Sequence, residues 1–226
     1  MIITIDGPAG GGKSTLSVLL AKELSFFCLN TGYLYRGLAY VLTTFYGYSN
    51  EKLQNPDVVD IQACMQSGNF RYDYIDGLSH VFFTDDITQF LKKIEIGQAA
   101  VILAQSDHVR QAIQNYERAL VKDKDAIVEG RSCGSVVFPQ AQVKFFVTAD
   151  VQVRALRMVQ DQKKRGNQIT LEKALELVVL RDQIDEHRKW DPLVVPQGAI
   201  ILDTTDLTPK QMLDKAVEVV RHAMKK

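Results

Sequence analysis

The 226-residue sequence has little of what marks several large protein classes. It holds three cysteines, Cys28, Cys64 and Cys133, an odd number with no CxxC pair. That excludes a disulfide framework and a cysteine-rich zinc site, and it predicts a reduced, cytoplasmic setting. Charge of one sign is not in excess, since 27 Lys plus Arg balance 27 Asp plus Glu. A general nucleic-acid binder needs a basic surplus to displace counterions from phosphates. A polybasic membrane-surface protein needs one too. Neither nucleic acid nor membrane is therefore expected as a partner. The longest strongly apolar run, near Ala99–Ala104, falls far short of the roughly 20 residues that span a bilayer. The opening Met1-Ile-Ile-Thr-Ile reads as a strand and lacks the basic start of a signal peptide. The four histidines (His80, His108, His187, His222) show no metal spacing, and internal repeats and low-complexity segments are absent.

What is present is an ordinary globular composition, 46% hydrophobic and 24% charged, in a chain long enough to bury a large core. A buried-type strand at Ile2–Ile5 runs into a glycine-rich turn and then an apolar-periodic helix to about Leu24. Phe26–Leu29 is a second strand candidate, followed by helical patterns at about Tyr33–Phe45 and Asp57–Gln66. Asn69–Thr84 is rich in aromatic and β-branched residues around Asp76-Gly77, a favoured hairpin turn. Helical stretches near Ile94–Ala104 and Ser106–Val121 come next. Strands are then predicted at Ala126–Val128, Val143–Thr148 and Ala199–Leu202, with helices at about Val151–Arg165, Leu171–Arg188 and Pro209–Met224. Alternation of this kind predicts an α/β fold with a mainly parallel sheet. The hairpin and its neighbouring helices, from about Gln54 to Val109, read as an insertion.

The strongest motif is Gly7-Pro8-Ala9-Gly10-Gly11-Gly12-Lys13-Ser14, which fits GxxxxGK[ST] and lies between a strand and a helix. Glycines let backbone N–H groups turn inward around phosphate oxygens. The positive end of the following helix faces the same anion. Lys13 can reach the β and γ phosphates, and the Ser14 hydroxyl can meet Mg²⁺. The guanine-reading Asn-Lys-x-Asp of GTPases is missing. Ile200-Ile201-Leu202-Asp203 superficially fits the acidic strand end of a motor ATPase, but its position before the last helix marks it as a final strand.

Arginines are the second signal. Two nucleotides held phosphate to phosphate carry roughly six negative charges, so several cations must converge on them. Arginine binds phosphate oxygens in pairs and stays charged. Thr31 and Arg36 follow the second strand. Arg131, in Glu129-Gly130-Arg131-Ser132, follows another at its carboxyl end, where open α/β sheets bind ligands. Arg154, Arg157, Asp161 and Lys164 share one helix face by spacing, and so do Arg181, Asp185 and Arg188. Solvated faces with weak i,i+4 ion pairs would produce the same helical spacing.

These residues resemble those of bacterial cytidylate kinases, a family of nucleoside monophosphate kinases. The resemblance covers nearly the whole chain. It is carried by IDGPAGGGKST at Ile5–Thr15, LNTGYLYR at Leu29–Arg36 and EGRSCGSVVFPQAQVKFFVTA at Glu129–Ala149. RDQIDEHR at Arg181–Arg188, Pro192-Leu193 and LDTTDLT at Leu202–Thr208 add to it. It implies a P-loop kinase fold, with a central parallel sheet flanked by helices. The core would be residues 1–53 and 110–226, with a short helical lid at about 152–168. A monophosphate-binding domain would be inserted at 54–109.

Residue by residue, the resemblance implies ATP on Gly7 to Gly12, Lys13, Ser14 and Thr15, with Mg²⁺ at Ser14. Thr31, Tyr35 and Arg36 match the monophosphate pocket, and Arg110 matches an arginine that reads the cytosine edge. Arg131 matches an arginine on the acceptor phosphate, and Arg181 and Arg188 match phosphate-site arginines. Asp185 matches a carboxylate for the ribose hydroxyls. Arg154 and Arg157 look like lid arginines that close on the donor phosphates. Lys13, Arg131, Arg154, Arg157 and Arg188 would carry catalysis. The implied reaction moves the ATP γ-phosphoryl to CMP or dCMP in a cytoplasmic monomer.

The chain departs from the family at the base. Glu129-Gly-Arg-Ser132 stands where the family usually has D-G-R-D, so Ser132 replaces an aspartate that helps bind the cytosine amino group. Val101 stands in place of a serine, Lys92 of an arginine and Asn30 of an aspartate. The phosphate and sugar positions are mostly kept. Two alternatives stay open from the sequence: a P-loop kinase with another acceptor (UMP or a non-nucleotide), or a nucleotide-binding regulator without transfer.

Overall fold

The run Ile2-Ile3-Thr4-Ile5-Asp6 is β-branched up to its last residue, and it forms β1 (Ile2–Asp6). From Ile3 to Asp6 every residue of the strand is buried, as in a parallel sheet covered on both faces. In the computed structural model, residues 1–164 and 166–224 are described. Packing divides the chain into two units, Met1–Phe26 with Ala126–Lys226, and Phe27–Asp125. The segment 54–109, read from the sequence as an insertion, lies within the second.

In the first unit, β1 lies between β6 (Ala126–Glu129) and β7 (Val143–Thr148), and β8 (Ile200–Asp203) adds to β7. All three pairings are parallel, with Ile5 opposite Glu129 on one side and Phe145 on the other. Val143, Phe145 and Val147 point into the core at the two-residue spacing of a strand. Helix α1 (Lys13–Leu24) packs on β6 and on α8 (Pro209–Ala223), which also meets β7.

The start of α8 is set locally. Thr208 Oγ1 accepts from the Gln211 N–H at 3.3 Å, the Gln211 side chain accepts from the Thr208 N–H at 3.0 Å, and Pro209 opens the first turn. Helices α6 (Val151–Lys164) and α7 (Leu171–His187) pair through Ala155, Ala174 and Val178, with Met158 and Ile169 at the edge. Arg165, the last residue of the predicted sixth major helix, lies outside the described residues. A π-helical turn at Cys133–Val137 has no counterpart in the sequence reading.

The second unit begins with β2 (Phe27–Asn30) and α2 (Thr31–Thr44), then α3 (Val58–Gln66). The hairpin β3 (Phe70–Ile75) and β4 (Leu78–Phe83) turns at Asp76-Gly77, whose φ values of 53° and 78° suit the two-residue turn that Asp-Gly favours. A two-residue strand, β5 (Asp85–Asp86), adds an edge the sequence did not announce. Helices α4 (Ile94–Leu103) and α5 (Asp107–Val121) complete the unit. Tyr72 on β3 is buried, and its hydroxyl donates to Cys28 O at 2.8 Å and accepts from the Asn30 N–H at 3.0 Å. That contact pins β3 to the end of β2, next to the start of α2.

Candidate functional site

The glycine loop joins β1 to α1. Gly7 has φ 141°, and a Cβ there would lie 2.0 Å from Val147 O. Only glycine fits so close to β7 in that backbone conformation. Gly12 caps α1 at φ 97°, and Lys13 opens the helix with its side chain turned back into the loop. Its Nζ donates to Pro8 O at 2.7 Å, and the residue is 5% exposed. Burial first, and then the positive charge of Arg131, lower the Lys13 pKa to about 7 against the pull of Glu129, Asp185 and Asp6.

Ser14 Oγ donates to Glu129 Oε1 at 2.6 Å, and Ser17 Oγ donates to the other oxygen of the same carboxylate. Glu129 ends β6, the strand beside β1, so an acidic group stands one strand over from the loop. Hydroxyl and carboxylate are hard oxygen donors suited to Mg²⁺. Asp6, at the end of β1, accepts from the N–H groups of Cys133 at 2.8 Å and Gly134 at 2.6 Å. Burial raises its pKa, and these two bonds offset part of the rise. They also hold the start of the π turn that follows Arg131 and Ser132. Ser132 is buried there.

Three arginines share one carboxylate. Arg131 Nε and Arg181 Nε each donate to Asp185 Oδ2 at 2.8 Å, and Arg188 Nη1 lies 3.5 Å from Oδ1. Arg188 also donates to Asp191 O through Nε, at 2.7 Å, and through Nη2. Burial would raise the Asp185 pKa, but Arg131 and Arg181 outweigh it and hold the carboxyl well below the usual range.

The α6 arginines reach the glycine loop itself. Arg154, 7% exposed, donates through Nη1 to Ala9 O at 3.2 Å and to Asp182 of α7 at 2.7 Å, and through Nε to Ala149 O at 3.0 Å. Arg157 Nη1 donates to Gly10 O at 3.2 Å and to Thr204 Oγ1 at 2.9 Å. The same spacing on this helix face carries Asp161 and Lys164, which are exposed. Spacing therefore identified the face, and packing separated the first two members from the last two.

The second unit carries the remaining candidates. Thr31, Tyr35 and Arg36 lie on the first turns of α2, and Thr31 is buried. Arg36 Nη1 donates to Leu91 O at 2.7 Å, and a Cβ on Gly97 of α4 would come within 3.1 Å of its guanidinium. Arg110, 3% exposed, donates to Ala104 O at 3.4 Å, and its guanidinium lies 5.8 Å from the Tyr35 ring centre. Val101 is half-buried on α4, and Lys92 is exposed.

Sequence reasoning gave no role to Glu129, Asp182 or Thr204. For Glu129 a signal existed, an acidic residue ending a strand. For Asp182 and Thr204 there was none, because their partners are distant in sequence. Trp190 is 39% exposed, with the Lys189 ammonium 5.0 Å from its ring centre. Cys28, Cys64 and Cys133 are all buried. Among the described residues, no helix is long and apolar enough to cross a membrane.

A parallel sheet, a glycine loop with a buried lysine and an arginine-rich helical pair define a P-loop kinase. Shikimate kinase from Bacteroides thetaiotaomicron shares this fold at 11% identity, with a TM-score of 0.50 covering 100% of this chain and 99% of that one. The family model for cytidylate kinase matches residues 3–222, and the chain belongs to that family. It is 39% identical to the cytidylate kinase of Chlamydia felis, covering 99% of this chain and 100% of that protein. It is 33% identical to the cytidylate kinase of Caldanaerobacter subterraneus subsp. tengcongensis, covering 97% and 94% respectively.

Proposed function

We propose that the chain is an ATP-dependent (d)CMP kinase, which transfers the γ-phosphoryl group of ATP to CMP or dCMP and yields CDP or dCDP. The observation that carries this reading is the buried Lys13 in a glycine loop that two arginines of α6 also touch, in a chain of the cytidylate kinase family. The acceptor oxygen is already anionic, so no general base or covalent intermediate is required. Rate enhancement comes from alignment and charge neutralisation.

Each candidate then has a part. The N–H groups of Gly7 to Thr15 hold the ATP phosphates, with Pro8 shaping the turn, and Lys13 bridges the β and γ groups. Ser14 and Glu129 are the residues that would hold Mg²⁺, which when bound screens the phosphate charge. Arg154 and Arg157 neutralise the donor phosphates. Arg131, Arg181 and Arg188 face the acceptor phosphate, with Asp185 orienting them and offering lone pairs to the ribose hydroxyls. Thr31, Tyr35 and Arg36 hold the monophosphate, while Arg110 and Ser132 face the cytosine. The inserted acceptor domain at 54–109 and the lid at 152–168 close to exclude water that would hydrolyse ATP. The protein works as a cytoplasmic monomer.

A coupled assay tests this reading, with ATP and Mg²⁺ plus CMP, dCMP, UMP, AMP or GMP in turn. Turnover with CMP and dCMP well above the others is expected. Preference for UMP would reassign the acceptor, and no turnover with any nucleotide would overturn the kinase reading.

A further inference from the structure

We infer that Thr204 is a positioning residue for the donor nucleotide, whose hydroxyl ties the glycine loop to Arg157. The inference rests on the reading of that loop as the ATP site. Thr204 follows β8, is 1% exposed, and continues the sheet ladder by donating its N–H to Thr148 O at 2.8 Å. Its hydroxyl has one hydrogen and two lone pairs. The hydrogen has its shorter acceptor in Gly11 O, at 2.8 Å, against 3.1 Å for Thr148 O. A lone pair accepts from Arg157 Nη1 at 2.9 Å. The Thr204 carbonyl accepts from Arg157 Nη2 at 2.7 Å, so both terminal nitrogens of the guanidinium are fixed by one residue.

This arrangement acts on the loop in two ways. A peptide unit is planar and trans, so its carbonyl and the next N–H point in opposite directions. Holding the Gly11 carbonyl on Thr204 therefore fixes the direction of the Gly12 N–H, at the mouth of α1. Arg157 holds the preceding carbonyl, Gly10 O, at 3.2 Å, and the N–H of that peptide, on Gly11, turns back to Pro8 O at 3.4 Å. Gly12 itself sits in this cluster, since a Cβ there would lie 3.6 Å from Thr204 Oγ1 and 3.9 Å from Arg157 Nη1. Preorganised N–H donors bind anions without reorganisation at the moment of binding. Loss of the hydroxyl frees the Gly11 carbonyl and removes one of the three hydrogen bonds that hold Arg157, while the isosteric bulk remains.

The test compares Thr204→Val, Thr204→Ser, Arg157→Ala, the Thr204→Val/Arg157→Ala double variant and Lys13→Ala, with thermal melting as the check on folding. A hydrogen bond to a charged group is worth enough to move binding by about tenfold. Thr204→Val is expected to raise KM for ATP about tenfold with KM for CMP unchanged, and Thr204→Ser to stay within about twofold of wild type. The valine change should cost markedly less in the Arg157→Ala background, because coupled residues do not add. Three results overturn the inference: a normal KM for ATP in Thr204→Val, serine as damaging as valine, or equal factors in both backgrounds. A valine variant that melts early and loses both substrates alike also overturns it. Lys13→Ala separates the two levels. If it leaves ATP binding intact, the loop reading fails; if it abolishes binding while Thr204→Val does nothing, only this inference fails.

Discussion

The ammonium of Lys13 lies 2.7 Å from the carbonyl oxygen of Pro8, five residues back in the same loop. A neutral carbonyl does not balance a buried charge, and Arg131 adds repulsion, so the Lys13 pKa falls to about 7 from 10.5. Phosphates arriving at this nitrogen restore the preference for the charged form. ATP binding at pH 8 is therefore expected to take up about one proton. Calorimetry in two buffers of different ionisation enthalpy measures the uptake, and its persistence in Lys13→Met would refute the assignment.

The same group sets a stability slope. The unfolded chain keeps this proton up to about 10.5, while the folded chain releases it near 7. Between those values the unfolded state binds more protons, so this group makes stability rise with pH. Lys13→Met removes that contribution. Urea unfolding at pH 7 and pH 9.5 is expected to show the variant gaining less than wild type across the interval. Equal gains would show that Lys13 titrates at its ordinary value.

Glu129 takes the hydroxyls of both Ser14 and Ser17. Glu129→Gln keeps the shape but loses the charge that hard cations require. The Mg²⁺ concentration for half-maximal rate is expected to rise about tenfold or more, with KM for CMP little changed. An unchanged Mg²⁺ requirement would leave Glu129 a mere anchor for α1.

Asp185 balances Arg131, Arg181 and Arg188. Asp185→Asn leaves three guanidiniums without their counter-charge and is expected to cost about 3 kcal/mol in urea unfolding. The folded pKa of Asp185 lies below the ordinary carboxylate value. Its contribution is thus present above the unfolded pKa of 3.8 and is lost as pH falls through the folded value. The wild type should lose more stability than the variant on acidification below pH 4. Parallel acid profiles would show that the carboxylate is unperturbed.

Arg36 donates to Leu91 O at 2.7 Å, over the space that Gly97 leaves open. Arg36→Ala is expected to raise KM for CMP about a hundredfold with KM for ATP unchanged, the size of a lost charge-assisted contact. Gly97→Ala, whose added methyl would press within 3.1 Å of the guanidinium, should show a smaller effect in the same direction. A rise in KM for ATP in either variant would place Arg36 elsewhere than on the acceptor.

Much of this molecule was legible from short-range pattern. Ile2 to Leu24 reads directly as strand, glycine loop and helix, because strand propensity, glycine conformation and helical periodicity each act over a few residues. Asp76-Gly77 marked its hairpin for the same reason. The edge pair Asp85–Asp86 and the π turn at Cys133–Val137 were not legible. The first exists only because β4 offers a free edge, and the second follows from Asp6 capturing two N–H groups 127 and 128 residues away.

Sequence alone fixed the chemistry available to the phosphate loop, since GxxxxGK[ST] states its own geometry. It also fixed which residues could supply positive charge. Tertiary structure decided which of them do so within one unit and in what environment. Arg154 became a buried link between Ala9 and Asp182, while Lys164 stayed in solvent on the same helix face. Thr204 met Gly11 across 193 residues and Ser14 met Glu129 across 115. The physical reason lies in parallel strands, whose crossovers bring distant strand ends together at a common edge. Spacing along the chain carries no trace of that meeting.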